Sequence, residues 1–315
     1  MPIFTYAVRR LLLAIPTVLV IVTALFLLVR IVPGDAAVAA LGENATEESL
    51  AALRSQYGLD RPLAVQYATY MGDLLRGDLG VSLATRRPVG SLLAANYQYT
   101  LDLMFGSLVV AILLGVPSGI YSAVHRGRVS DGILRIVSLL GISTPPFYLG
   151  VLLLLLFSVQ LSWFPVLGAG DLSDPVERLR YLVLPAFTGG IGIASYLTRV
   201  TRSAMLNVLG EDYLRTAEAK GVRPLLITYK HALRNALIPV ATVTGIYVTV
   251  LIGNAVLIEI VFSRPGFGRL LVGSVLQRDY FTIQSVMAVF AVIVVVTNLV
   301  IDLIYVLIDP RVRYG

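Results

Sequence analysis

EDYLRTAEAKG at 211–221 and HALRNALIP at 231–239 form a polar, basic island between two long apolar segments. Glu211 and Asp212 sit where a helix N-terminus favours negative charge, and Lys220 where a C-terminus favours positive charge. Gly221 can take a positive φ and end that helix, and Pro224 suits the first position of the next. The spacing predicts a helical hairpin over 211–236 whose second arm runs past Pro239 into a membrane span. Ala217 is small, so a partner can approach the first arm closely. Two readings of the hairpin stand side by side. It is a docking surface for a soluble motor, or an amphipathic element held on anionic lipid by its Arg and Lys side chains.

What surrounds the island decides the class. The chain has 315 residues, 57% of them hydrophobic, with a mean hydropathy of +0.82, a composition of polytopic membrane proteins. A span needs roughly 20 apolar residues. Six segments qualify, near 11–31, 101–124, 136–159, 181–203, 237–262 and 284–308. Fourteen Arg and Lys lie at the N-terminus, in 125–135, in 199–236 and in the tail, against five in the short loops of the other side. That asymmetry predicts both termini in the cytoplasm. Ala37-Val38-Ala39 offers a cleavage site, but the first apolar run is too long for a signal core, and Arg30 at its end can snorkel. The net charge of +6 is thus a topology signal, and no nucleic-acid partner is expected.

The organisation predicted is an N-terminus and first span at 1–31, an external helical cap at 32–100, and a five-span core at 101–315 that carries the hairpin. In the cap, Thr46 can cap a helix with Glu47 and Glu48 in its first turn, ending at Gly58. Pro62 opens a second, which ends before Gly77. Tyr57, Tyr67 and Tyr70 on these helices are candidate contacts for a partner protein, with packing on the chain's own bundle as the alternative.

Several chemistries are excluded. There is no Cys, and the two His, His125 and His231, fall in polar loops, so no thiol, zinc or intramembrane His site is expected. Neither Lys stands in a Gly-Lys-Ser/Thr motif, so ATP cannot be gripped here by a P-loop. Asp102, Glu259 and Asp302 are the carboxylates within spans, and intramembrane carboxylates are expensive and often functional. Asn298 and Asp302 share a face, and with Asn254 and Glu259 they are candidates for a pathway or a helix interface. Pairing with an Arg is the structural alternative for Glu259. Gly189, Gly190 and Gly192 predict close helix packing. Pro117 and Pro145-Pro146 predict kinks.

Ordered pieces along the whole chain resemble one family. They are VPGD at 32–35, GLDRPLAVQY at 58–67, LLRGDLGVS at 74–82, DYLRTAEAKG at 212–221, HALRNALIPV at 231–240, EIVFSRPGFG at 259–268, RDYF at 278–281 and NLVIDLIYVLIDPRVR at 298–313. The chain resembles the B-type permease subunit of dipeptide and oligopeptide ABC importers. Ala36 stands where that family often has a second Pro, and Arg215-Thr216-Ala217 where importers at large have Glu-Ala-Ala.

The resemblance implies an all-α polytopic protein of the type I importer permease fold in a prokaryotic inner membrane. It implies that Asp212, Tyr213, Arg215, Thr216, Ala217 and Gly221 meet an ATPase. Expected partners are a second permease, two ATP-binding subunits that hold the ATP and Mg, an extracytoplasmic binding protein and the lipid bilayer. No cofactor, metal or catalytic residue is expected in this chain. Peptides are the expected cargo, with glutathione, nickel chelates or haem as alternatives. An ion-driven secondary transporter would need midplane ionisable groups and commonly an internal repeat, and no repeat is visible.

Overall fold

The computed structural model describes residues 3–31, 36–42 and 45–308. The helices are α1 (Ile3–Ile31), α2 (Ala36–Leu41), α3 (Glu47–Gln56), α4 (Leu63–Leu75), α5 (Val89–Val124), α6 (Val129–Ser143), α7 (Pro146–Leu153), α8 (Pro175–Leu209), α9 (Asp212–Ala219), α10 (Pro224–Leu226), α11 (Leu233–Val261), α12 (Phe267–Leu276) and α13 (Tyr280–Ile308). A π-helical turn at Leu154–Gln160 extends α7, and another at Ile227–Ala232 joins α10 to α11. Among the described residues there is no β-strand, only an isolated bridge between Val81 and Pro88.

Among the described residues, five helices are long and apolar enough to cross a membrane: Arg10–Ile31, Val89–Val124, Pro175–Leu209, Pro224–Val261 and Tyr280–Ile301. Val129–Ser143 and Pro146–Gln160 pass the same test only as a pair, and they are bent by 106°. The sequence predicts one kinked span over 136–159, and the structure breaks it in two. The cause is local. Thr144, ahead of Pro145, is forced from helical to extended backbone (φ −86°, ψ 122°), and Pro146 then opens α7.

The chain divides into two compact units. Of the described residues, one unit holds Leu101–Arg264 with 3–7 and 297–308, and the other holds those of Val8–Thr100 and Pro265–Val296.

In the first unit α8 is the central helix. In its most apolar window 61% of residues are buried, against 22% in the span containing α11. Small residues let its neighbours in. A Cβ on Gly115 would lie 2.6 Å from the Ala194 carbonyl oxygen, one on Gly119 2.5 Å from Thr201 Cβ, and one on Gly190 2.7 Å from the Ser107 carbonyl oxygen. Backbones this close give the van der Waals packing that holds helices together in lipid. Gly189 also packs on Ser107, whereas a Cβ on Gly192 would meet only the Gly141 carbonyl oxygen, at an ordinary 3.7 Å. The low hydropathy of the fourth span thus reflects burial within the protein.

The second unit packs on one face of α1. Val22, Phe26 and Val29 are buried along one face of α1. The Thr46 side chain caps α3 by accepting from Ser49 N at 3.3 Å, and Gly58 ends that helix region at φ +64°. Val89, Leu93, Phe267 and Val286 form a second apolar cluster there. Asp279, 2% exposed, accepts from Ser82 Oγ, from Leu83 N and from Thr282 Oγ1, which fixes the loop before α5 to the start of α13.

Candidate functional site: the helical hairpin

The hairpin folds as its residues dictate. Glu211 is extended (φ −74°, ψ 143°) and starts α9. Gly221, at φ +80°, turns the chain, and its N–H bonds the Glu218 carbonyl at 2.8 Å. A Cβ there would meet nothing within 4 Å, so the requirement for Gly is conformational and not steric. Arg223 is extended and Pro224 opens α10. From Pro224 the helix runs on to Val261 through the π-turn as one span of 38 residues.

One side of the hairpin is anchored. Leu214, Ile227, Ala232 and Ala236 are buried with Ile120, Ala204 and Met205 in one apolar cluster of the first unit. Tyr213 Oη accepts from Asn235 Nδ2 at 2.8 Å, which ties α9 to α11. The other side is open. Asp212 and Arg215 pair at 3.5 Å with side chains 95% and 73% exposed, an ion pair worth little in water. Thr216 bonds the Asp212 carbonyl at 3.0 Å and is exposed, and Ala217 is half-buried. The structure therefore gathers Asp212, Tyr213, Arg215, Thr216, Ala217 and Gly221 on one short element. It adds Leu225, Leu226 and Tyr229, all exposed, which in the sequence are indistinguishable from the start of a span.

A buried ion pair lies in the same unit. Arg202 holds Asp131 through Nε and Nη2, both at 2.8 Å, and Asp131 also accepts from Ser122 Oγ at 2.6 Å and Gly127 N at 3.0 Å. Asp131 is 2% exposed. This pair links α5, α6 and α8, and nothing in the local sequence pattern announces it.

The other candidates separate. Glu259 is fully buried, so it does not line an open surface of this chain. Asp102 is held by Arg178 Nε at 2.7 Å and by Arg264 Nη2 at 3.4 Å. Asn298 Oδ1 accepts from Thr249 Oγ1 at 2.7 Å, joining α13 to α11, and Asn254 is half-buried. The side chain of Asp302, like VPGD at 32–35, lies outside the described residues.

The cap tyrosines turn inward. Tyr67 Oη bonds Thr23 Oγ1 at 2.7 Å, and its ring meets Phe26 edge-on. Tyr70 stacks on Phe26, and Tyr57 packs on Phe281. All three rings are half-buried against partners within the chain, and Leu63, Val65, Leu75, Val81 and Tyr97 are the exposed large hydrophobics among the described residues of the cap.

The hairpin, the glycine-packed bundle and the bent helix pair belong to an all-α, multi-span membrane protein. The fold matches a solved structure of the inward-facing MetNI methionine ABC transporter with a TM-score of 0.57 at 20% identity, over 70% of this chain and 98% of that one. The chain belongs to the family described as binding-protein-dependent transport system inner membrane component, which matches residues 115–314, with the N-terminal component of the same system matching residues 3–104. It is similar to glutathione transport system permease protein GsiC of Salmonella choleraesuis, 42% identical over 98% of this chain and 99% of the relative. It is 40% identical over the same shares to GsiC of Escherichia coli K12.

Proposed function

We propose that this permease forms half of a translocation pathway and is driven through its hairpin by ATPase subunits. The observation that carries this reading is mechanical. α9 is anchored by Leu214 while its polar face stays open, and the following arm is continuous from Pro224 to Val261. A load taken on α9 passes to that arm through the packing of Leu214 on Ile227, Ala232 and Ala236 and through the Tyr213–Asn235 bond. Asp212, Arg215, Thr216, Ala217 and Gly221 are the docking surface, and Leu225, Leu226 and Tyr229 offer apolar area beside it. The chain itself is non-catalytic. ATP and Mg belong to two partner subunits, a second permease completes the pathway, and an extracytoplasmic protein delivers the cargo.

Both termini lie in the cytoplasm. The basic asymmetry supports this orientation, and the Cys-free chain allows a direct check. A Cys replacing Ser55 should react with an impermeant maleimide from outside and one replacing Ser203 should not; the reverse pattern rejects the orientation.

The cargo is a short peptide, with glutathione, itself a tripeptide, the first to test because relatives 40–42% identical carry that name. Uptake of labelled glutathione, a dipeptide, a nickel chelate and haem by the reconstituted transporter with its binding protein decides. Uptake of either peptide alone supports the reading; uptake of only the chelate or haem overturns the cargo and leaves the hairpin untouched.

A further inference from the structure

We propose that the cavity framed by α1, α4 and the start of α13 binds a small zwitterion, one carrying a carboxylate or phosphate together with an ammonium group. The cavity measures about 290 Å³ and lies wholly within the second unit. Arg30, Arg61, Tyr70 and Gln284 line it, as do Asp73 and Asp78.

Two buried atoms there lack a partner: Tyr70 Oη and Gln284 Nε2, the latter on a side chain only 2% exposed. Buried polar groups are rarely left unpaired, because desolvation is costly unless a hydrogen bond replaces water. An amide nitrogen can only donate, and burial pushes the Tyr70 hydroxyl up to about 12, against the opposing pull of Arg30, so it remains an O–H donor at neutral pH. Both atoms therefore ask for an acceptor.

Arg30 is set to supply the charge. Its Nε bonds Gln66 Oε1 at 3.0 Å, its Nη1 bonds the Phe26 carbonyl at 3.2 Å, and the guanidinium lies 3.5 Å above the Phe26 ring centroid. These contacts fix the group in place while using two of its five N–H donors. Arg61 brings a second guanidinium to the wall. A bare anion would meet the repulsion of Asp73 and Asp78; an ammonium on the same ligand turns those carboxylates into partners.

Arg30 and Gln284 stand at the ends of two spans, the depth at which lipid headgroups lie. The zwitterion therefore has two sources: an amino acid or short peptide from water, or a phosphatidylethanolamine headgroup from the bilayer. The peptide source rests on the short-peptide cargo proposed above, whereas the lipid source is independent of it.

The test uses the assembled transporter in phosphatidylglycerol nanodiscs, which contain no zwitterionic lipid. Binding of ¹³C-labelled alanylalanine is followed by NMR, and phosphatidylethanolamine retained from the membrane is counted by native mass spectrometry. Tyr70→Phe keeps the ring and Gln284→Met keeps the volume. Each should weaken one of the two ligands by about tenfold, the loss of one buried hydrogen bond. On the unaltered protein, N-acetyl-alanylalanine should bind about tenfold more weakly than alanylalanine if the peptide is the source. Loss of the retained lipid in both variants identifies the bilayer source. Binding of neither ligand, or binding that neither variant changes, overturns the proposal. Because the acetylated probe is used on the unaltered protein, its result stands even if a variant fails to assemble.

Discussion

The hairpin and the cap are both helical segments attached to spans, yet they are built differently. The cap turns its aromatic rings inward, onto Phe26 and Phe281, and is pinned by Asp279. The hairpin buries only Leu214 of α9, half-buries Ala217 and leaves the other residues of that helix exposed. Large inward anchors make an element part of the bundle. A single anchor under a polar face makes a surface that another protein can grip and move.

The comparison breaks most sharply at the two polar clasps. Arg202→Ala should be the most damaging change, because it strands a buried Asp131 at a cost of about 3–5 kcal/mol. The purified complex should melt at lower temperature or fail to assemble. An unshifted melting curve would show that the pair carries no structural load.

Leu214→Ala removes the anchor of α9 and should cost about 2–5 kcal/mol, felt locally. Proteolysis near 210–222 should accelerate while the cap, 45–82, stays protected. Equal cleavage of both segments would erase the distinction between them.

Tyr67→Phe is the gentler probe of the cap. It deletes the bond to Thr23 and should cost about 0.5–1.5 kcal/mol. Stability falls slightly, while stimulation of ATP hydrolysis by the binding protein remains. Lost stimulation at normal stability would return the cap tyrosines to a contact role.

Much of both regions is legible in the sequence because their signals are local. Thr46, Gly58, Gly221 and Pro224 each act within a few residues, and each stands in the structure where its chemistry places it. Hydropathy starts the second span at 101, but its helix begins at Val89, since polar Asn96 and Gln98 lower hydropathy without breaking a helix. Pro145-Pro146 signals a break but not its angle of 106°, nor the packing of α6 and α7 on α8 and of α7 on α11. The clasps are invisible in the sequence. Asp131 meets Arg202 across 71 positions, and Ser82 meets Asp279 across 197. Only the folded chain brings such groups together. The inward turn of the tyrosines is of the same kind, since helical spacing gives a face but not the element that covers it.

The central claim is that α9 is where driving force enters the membrane. Ala217→Trp places a large ring on the half-buried small position of that helix without touching Leu214 or the φ of Gly221. The measurement is co-purification of the ATPase subunits with the permease pair, together with uptake-coupled ATP hydrolysis. If force enters at α9, the permeases still insert and pair while ATPase recovery and coupled hydrolysis collapse together. Full recovery of the ATPases with normal coupled hydrolysis would contradict it.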